Sequence, residues 1–471
     1  MLELGSRREL FVDHFLLESL DNCRLELNRP TPANVAMAFD MPWEGKFVGY
    51  LTVMQDTEHG VVRLYYRGWP DVGSPVEDGS YCYAESEDGI EFNRPSLDLH
   101  EWHGDTDTNI ILKGGDPCHS FAPVIDTRPG CPEGERFKGI GLGHIEVDGK
   151  RKSVLFAWVS ADGVTWNLMH DKPIITDGMF DSQNIAFWSA HEQCYVAYYR
   201  TKRDNTTPSD GTDVIPWRTV SRAVSDDFIN WRDAGEMTYG DTPMEELYTN
   251  QTMPYARAPH IYLSFPKRFN PGRRVLTDAE AASLGHHERY INDISDGVFM
   301  TTRGGFTYDR TFMEAFVRPG EDRGNWCSRT NMSAWGIVQT GPRELSLYYQ
   351  HRYAAPSHYL MRYTLGLDRF ASIRGPYAGG EAITKPFTYT GRQLMLNYDT
   401  SGAGGVRVEM QDEAGKPLPG LSLDDCSPKI GDEIEGVVHW GQRTDVAEHA
   451  GKTVRLRFSI ADADVYALQF V

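Results

Sequence analysis

The chain lacks paired cysteines, long apolar runs and an excess of positive charge, and each absence removes a class of protein. Its seven cysteines (Cys23, Cys82, Cys118, Cys131, Cys194, Cys327, Cys426) stand singly, with no Cys-x-x-Cys spacing. That pattern gives neither a structural zinc site nor a disulfide framework, so reduced and mostly buried thiols are expected. No stretch reaches the roughly 20 apolar residues with which a helix crosses a bilayer. The opening residues, Met1-Leu-Glu-Leu-Gly-Ser-Arg-Arg-Glu9, hold no apolar signal core. As it stands the chain therefore reads as soluble and cytoplasmic, or as exported with a leader already removed. Against 67 acidic residues there are only 47 basic ones, a formal net charge of -20. This argues against nucleic acid or a membrane as partner, and most simply serves solubility. Adjacent residues such as His286-His287 cannot readily converge on one ion, so no metal site is indicated and no cofactor is expected.

What is present is aromatic and repetitive. Ser86-Glu-Asp-Gly-Ile-Glu-Phe92 returns as Ser160-Ala-Asp-Gly-Val-Thr-Trp166, as Ser225-Asp-Asp-Phe-Ile-Asn-Trp231 and as Thr302-Arg-Gly-Gly-Phe-Thr-Tyr308. A degenerate fifth copy is Leu367-Asp-Arg-Phe-Ala-Ser-Ile373. A turn followed by a large apolar residue is hairpin chemistry. Between copies lie apolar strands and aromatic strands such as Val61-Val-Arg-Leu-Tyr-Tyr66 and Leu345-Ser-Leu-Tyr-Tyr349. Four short antiparallel strands per unit, repeated five times, predict an all-β, five-bladed β-propeller over residues 1–380. The segment Glu9-Leu-Phe-Val-Asp13 is expected to close the ring on the last blade. Thr277 to Leu284 reads as a short helix in a loop, with Thr277 as its N-cap. After Gly379-Gly380 the texture changes to period-two strands between turns, which predicts a β-sandwich accessory domain over residues 381–471.

A propeller brings acids distant in sequence together on one axis, and paired carboxylates are what cleavage of a glycosidic bond needs. Asp181 precedes the apolar run Ile185-Ala-Phe-Trp188 and is read as a group gripping a sugar hydroxyl. Asp40 or Glu44, ahead of Phe47-Val-Gly-Tyr-Leu-Thr-Val53, would supply the nucleophile or base; a turn-capping role competes for each. Glu245 or Glu246 is the candidate general acid, and adjacent strand residues point to opposite faces, so at most one enters the pocket. His119 either donates to substrate or is a satisfied structural histidine. Gln183, Asn184 and Asn250 are candidate substrate-binding amides. Trp43, Tyr248 and Trp326 are candidate stacking aromatics, against a plain packing role. If Arg329 converges with Arg200, Arg218, Arg222, Arg257 and Arg268, the substrate would be anionic, because the guanidinium fork matches carboxylate or sulfate oxygens.

The propeller-plus-sandwich pattern, with Leu394-Met-Leu-Asn-Tyr-Asp399 and Gly451-Lys-Thr-Val-Arg-Leu-Arg-Phe458, resembles glycoside hydrolase family 32 and its relatives in families 43, 68 and 117. Phe11-Val-Asp13, Pro42-Trp-Glu-Gly45 and Phe180-Asp-Ser-Gln-Asn184 resemble a bacterial subgroup related to family 32. The Asn-Asp-Pro-Asn-Gly, Arg-Asp-Pro and Glu-Cys-Pro motifs of family 32 are absent. In their places stand Phe39-Asp-Met-Pro-Trp-Glu-Gly45, Phe180-Asp-Ser182 and Met244-Glu-Glu-Leu-Tyr-Thr-Asn250. The resemblance implies a glycosidase, a hydrolase acting on a plant or algal glycan other than a plain fructoside, and a histidine serving as acid in family 117 marks His119. The rival expectations are a propeller phosphorylase or transglycosidase and an inactive carbohydrate-binding propeller. The partner expected is a carbohydrate, with homo-oligomerisation left open.

Overall fold

A computed structural model describes residues 2–70, 77–203 and 217–471. Strands pair into the five blades of a propeller. Blade I joins strands Gly49–Asp56, Val61–Gly68, Ser80–Ser86 and Ile110–Lys113. Blade II runs from Phe121–Ile125 through Phe137–Val147 and Lys150–Ser160 to Asn167–Leu168. Blade III runs from Ile185–Ser189 through Cys194–Arg203 and Trp217–Ser225 to Trp231–Glu236. Blade IV pairs Thr252–Tyr255, Ala258–Ser264 and Met300–Thr302. Blade V is built on Glu344–His351 and Tyr359–Gly366.

The recurrent turn has one physical basis in the first three blades. The Asp88 carboxylate accepts bonds from Ser86 Oγ at 3.2 Å and the Ile90 N–H at 2.8 Å. Asp162 accepts likewise from Ser160 Oγ and Val164 N–H, and Asp227 from Ser225 Oγ and Ile229 N–H. Each aspartate thus replaces water at the backbone donors of a tight turn. The fifth copy behaves differently. Asp368 lies where blade V leaves for the C-terminal module, 0% exposed, bonded by Arg8 at 2.9 Å and Arg257 at 3.0 Å.

Ring closure also differs from expectation. The outer strand of blade V is Thr31–Ala38, antiparallel to Tyr359–Gly366. Glu9–Leu10 pairs instead with Leu468 and Ala467. On the axis, blade V docks on blade I through Val53 N–H to Trp335 O at 2.7 Å and Trp335 N–H to Leu51 O at 2.8 Å. Gly336 permits that approach: a Cβ there would sit 1.8 Å from Val53 O.

The C-terminal strands form a sheet centred on Arg455–Phe470, which pairs with Leu394–Gln411, Ala371–Gly375 and Gly380–Thr384. Leu17–Asp21 and Arg24–Leu27 from the start of the chain extend it. Its core is separate from that of the blades and includes Phe387, Tyr389, Trp440, Phe458 and Phe470. Tyr389 and Phe470 stack with ring centres 3.8 Å apart. Cys82, Cys118, Cys194, Cys327 and Cys426 are buried, and all seven cysteines are free.

Candidate functional site

The inner strands of the blades run the same way along the axis, so the two mouths of the channel carry different residues. At the carboxyl ends lies a cavity of about 450 Å³ walled by Val53, Val124, Phe187, Met253, Trp335 and Ile337. It is the larger of the two, but among the described residues its walls carry no carboxylate or histidine. At the amino ends lies a cavity of about 370 Å³ lined by Phe47, Arg67, Trp69, His119, Asp181, His287, Arg289, Tyr290, Arg329 and Tyr353. The chemistry-bearing groups are gathered at this second mouth.

Part of its wall comes from an insertion in blade IV. Hairpin strands Lys267–Asn270 and Ile294–Gly297 carry a loop with a short helix, Asp278–Leu284. Thr277 is its N-cap, in a capping box with Glu280, and Gly285 ends it at φ 71°. The chain leaving the helix lays His287, Arg289 and Tyr290 over the pocket. Tyr290 packs edge-on against Tyr353 at 5.5 Å, and Phe47 lies 5.7 Å from it.

The candidate acids do not meet. Asp181 lines the cavity with its side chain 62% exposed. Glu44 is 0% exposed, holding Tyr66 Oη at 2.6 Å and Arg94 Nε at 2.8 Å. Asp40 lies on the outside of the ring, 3.2 Å from Arg94. Glu245 is bound by Arg268 at 2.7 Å and Arg310 at 2.9 Å, and Glu246 by Arg218. Both glutamates line another cavity, beside Trp217 and Phe269. Each of these four carboxylates is taken by arginine in an ion pair. Among the described residues, Asp181 is the carboxylate lining the central cavity.

The amides are placed below the cavity and serve the scaffold. Gln183 donates to Leu51 O at 2.9 Å and Thr52 Oγ1 at 3.0 Å, and accepts from Gln251 at 2.8 Å. Gln251 also donates to Ser333 O at 2.7 Å, so this chain of bonds ties blades I, III, IV and V across the axis. Asn184 donates to Phe180 O and Ser182 O, and Asn250 to Tyr198 O. Gln183→Leu would leave the buried Gln251 amide short of an acceptor, a loss of about 1–3 kcal/mol. Denaturant unfolding should show it as a lowered midpoint with the slope unchanged.

Trp43 is also structural, its indole N–H donating to Asn109 at 2.8 Å. Trp326 donates to Gly320 O and lines a separate cavity with Arg273 and Arg318. His119 and Arg329 line the central mouth, and the buried Tyr248 packs beside Arg329, 5.5 Å from its guanidinium. His119 Nε2 lies 3.2 Å from Asp181 Oδ1 and 3.4 Å from an Arg67 nitrogen. Burial, with Arg67 next, brings its imidazole down to about 4, so it is neutral near pH 7.

The pocket is cationic inside an acidic protein. Arg67 and Arg200 are each 5% exposed, and Arg200 comes within 3.8 Å of Asp181 Oδ2. Arg67 donates to Phe47 O and Tyr353 Oη, and Arg329 to Tyr290 Oη; neither bonds a carboxylate among the described residues. Lys267, 1% exposed, lies over the Tyr248 ring at 4.0 Å. Burial, followed by Arg329 and Arg218, holds its amine well below the ordinary range. Arg329, which lines the cavity, and Tyr50, which packs on His119 at 5.8 Å, carry backbone strain at φ 63° and φ 54°. Non-glycine residues held there cost of order 1–2 kcal/mol and cluster at functional sites.

Sequence reasoning missed Arg67, Tyr50, Tyr290 and Tyr353. Arg67 had a readable signal: it closes a strand whose preceding residues are almost all buried. Tyr290 and Tyr353 had none, since the insertion and the end of blade V meet only in the folded chain.

No family model matches the chain, and no curated protein matches it. Solved structures of similar fold include one described as a glycoside hydrolase, with TM-score 0.47 and 12% identity over 72% of this chain and 92% of that one. A second is an N-acetylgalactosamine deacetylase from F. plautii bound to blood group B trisaccharide, with TM-score 0.47 and 9% identity over 73% of this chain and 96% of that one. A third is a family 32 β-fructofuranosidase from Bombyx mori, with TM-score 0.40 and 9% identity, covering 94% of each chain. Fold and site define the chain as a five-bladed propeller protein with a cationic, tyrosine-lined axial pocket.

Proposed function

We infer that the chain is a carbohydrate-active enzyme that breaks the bond to an anionic sugar, a uronate or a sulfated residue, in the axial pocket. The observation that carries this reading is the imbalance of charge at the cavity. Arg67, Arg200 and Arg329 face one exposed carboxylate, Asp181, in a protein of net charge -20. Arg67 and Arg329 bond no carboxylate among the described residues, a costly state for guanidiniums held in a pocket, and an anionic ligand offsets that cost with forked hydrogen bonds. Asp181 remains the group that accepts from a sugar hydroxyl, held in place by His119. Tyr290, Tyr353 and Phe47 supply faces for the ring. The two-carboxylate hydrolysis expected from the sequence draws no support from Asp40, Glu44, Glu245 or Glu246, whose partners hold them elsewhere.

Calorimetry with matched neutral and anionic oligosaccharides tests the reading. Anionic sugars should bind, more weakly as salt rises, and neutral ones should not. In Asp181→Asn, turnover of a cleaved anionic sugar should fall at least about tenfold, by loss of a charge-assisted bond to a hydroxyl. Equal binding of neutral and anionic sugars would defeat the proposal.

A further inference from the structure

We propose that this pocket breaks its substrate by β-elimination beside a uronate carboxylate, with Tyr248 as the group that takes the proton. The inference rests on the reading of an anionic sugar given above and names its chemistry. The argument starts from how Tyr248 is held. Its backbone N–H donates to Lys267 O at 2.8 Å, and its carbonyl accepts from Ser182 Oγ at 2.8 Å, next to Asp181. The side chain is 4% exposed. Around its ring stand Lys267 at 4.0 Å, Arg200 at 5.1 Å, Arg218 at 5.3 Å and Arg329 at 5.5 Å. Its phenol lies within electrostatic reach of Tyr50, Arg329, Arg200 and Asp181. Burial by itself pushes this phenol up. Arg329 and Arg200, opposed by Asp181 and helped by Tyr50, override it, and the net direction is below the ordinary phenol value. Tyr50, by contrast, is pushed well above the ordinary phenol value by burial and by Tyr248. Two neighbouring tyrosines are thus driven apart, the pattern that separates a base from a neutral neighbour.

Elimination fits what the pocket holds and what it lacks. A sugar carboxylate seated between Arg329 and Arg200 loses charge to the guanidiniums, which makes the hydrogen on the adjacent carbon more acidic. The Tyr248 oxygen takes that proton, and the C–H electrons form a double bond to the next ring carbon. The glycosidic C–O bond on that carbon breaks, and the departing oxygen takes the proton back from Tyr248. Atoms and electrons balance with no water, oxidant or second carboxylate. Among the described residues, one exposed acid, neutral His119 and surplus arginine accompany Tyr248 at the pocket.

The test uses the full chain with pectate, alginate and glucuronan oligosaccharides in water enriched in heavy oxygen. The expected product carries a conjugated double bond, seen by its ultraviolet absorbance, and no heavy oxygen. Deuterium on the carbon that bears the carboxylate should slow its release. Tyr248→Phe should lower that release at least about 100-fold, the scale of a lost acid–base group. Its uronate Kd, by calorimetry, should stay within about threefold of wild type, which also shows the variant folded. A saturated product carrying heavy oxygen would be hydrolysis; it overturns the elimination and leaves the anionic-sugar reading standing. Uronate binding with no bond broken overturns the elimination too, as does undiminished release by Tyr248→Phe. Failure of wild type to bind any of these uronates overturns the reading beneath it.

Discussion

Exchange of Arg329 for glutamine should weaken binding of an anionic sugar by roughly thirtyfold or more, about 2 kcal/mol, the lower end for truncating one side of a buried charged pair. The side chain lines the cavity and, among the described residues, bonds only Tyr290 Oη. Glutamine is shorter but stays polar, and it can take the same left-handed backbone at φ 63° that arginine already bears. The change therefore reads charge and fork geometry more than fold. Arg289→Gln, on the exposed rim of the same pocket, is the control; its loss should stay below about fivefold and vanish with salt. The same Arg329 variant also tests the electrostatics of Tyr248. With that cation gone, the phenol rises, so any limb of the pH–rate profile that needs ionised Tyr248 should move to higher pH. An unmoved limb in a variant with weakened binding would detach Tyr248 from the chemistry.

Asp56→Asn should cost about 3 kcal/mol of stability at neutral pH, as expected when one partner of a buried ion pair is removed. Asp56 ends the inner strand of blade I and is 0% exposed. Arg63 Nε bonds it at 2.8 Å, Arg136 of blade II at 3.0 Å, and His59 lies 3.2 Å away. Burial pushes this carboxyl up, but the bonds from Arg136, His59 and Arg63 outweigh it and hold the group below the usual carboxylate range. A folded-state value depressed below the unfolded one near 3.9 gives stability that is full above about pH 4. It is lost as pH falls further, toward the folded value. Unfolding midpoints of wild type and variant should therefore differ most at pH 7 and converge in acid. A constant difference across that range would mean the loss comes from packing alone.

The repeat was legible because its cause is local. Ser86, Asp88 and Gly89 fold their turn within a few residues, and Ser160 with Asp162 does the same, so neighbouring letters carry the signal. Asp181 stood out as an acid set against a buried strand, and the fold leaves it exposed at the axial cavity. Where the other acids lie was not legible, because a carboxylate's surroundings depend on partners far along the chain. Glu44 meets Arg94 and Tyr66, and Glu245 meets Arg268 and Arg310. Gln183 looked like a ligand-binding amide for the same reason; its partners, Leu51, Thr52 and Gln251, come from other blades.

By itself the sequence determined an all-β chain of five repeated units with a different β module after them, since hairpin turns and period-two strands are written in adjacent residues. Tertiary structure decided which strand closes the ring, Thr31–Ala38 and not Glu9–Leu10, because register is set by pairing partners hundreds of residues apart. It also decided which charges face the axial pocket. Arginine reaches far and neutralises whichever acid the fold brings near, and only folding left Asp181 exposed among cations while burying Glu44 in an ion pair.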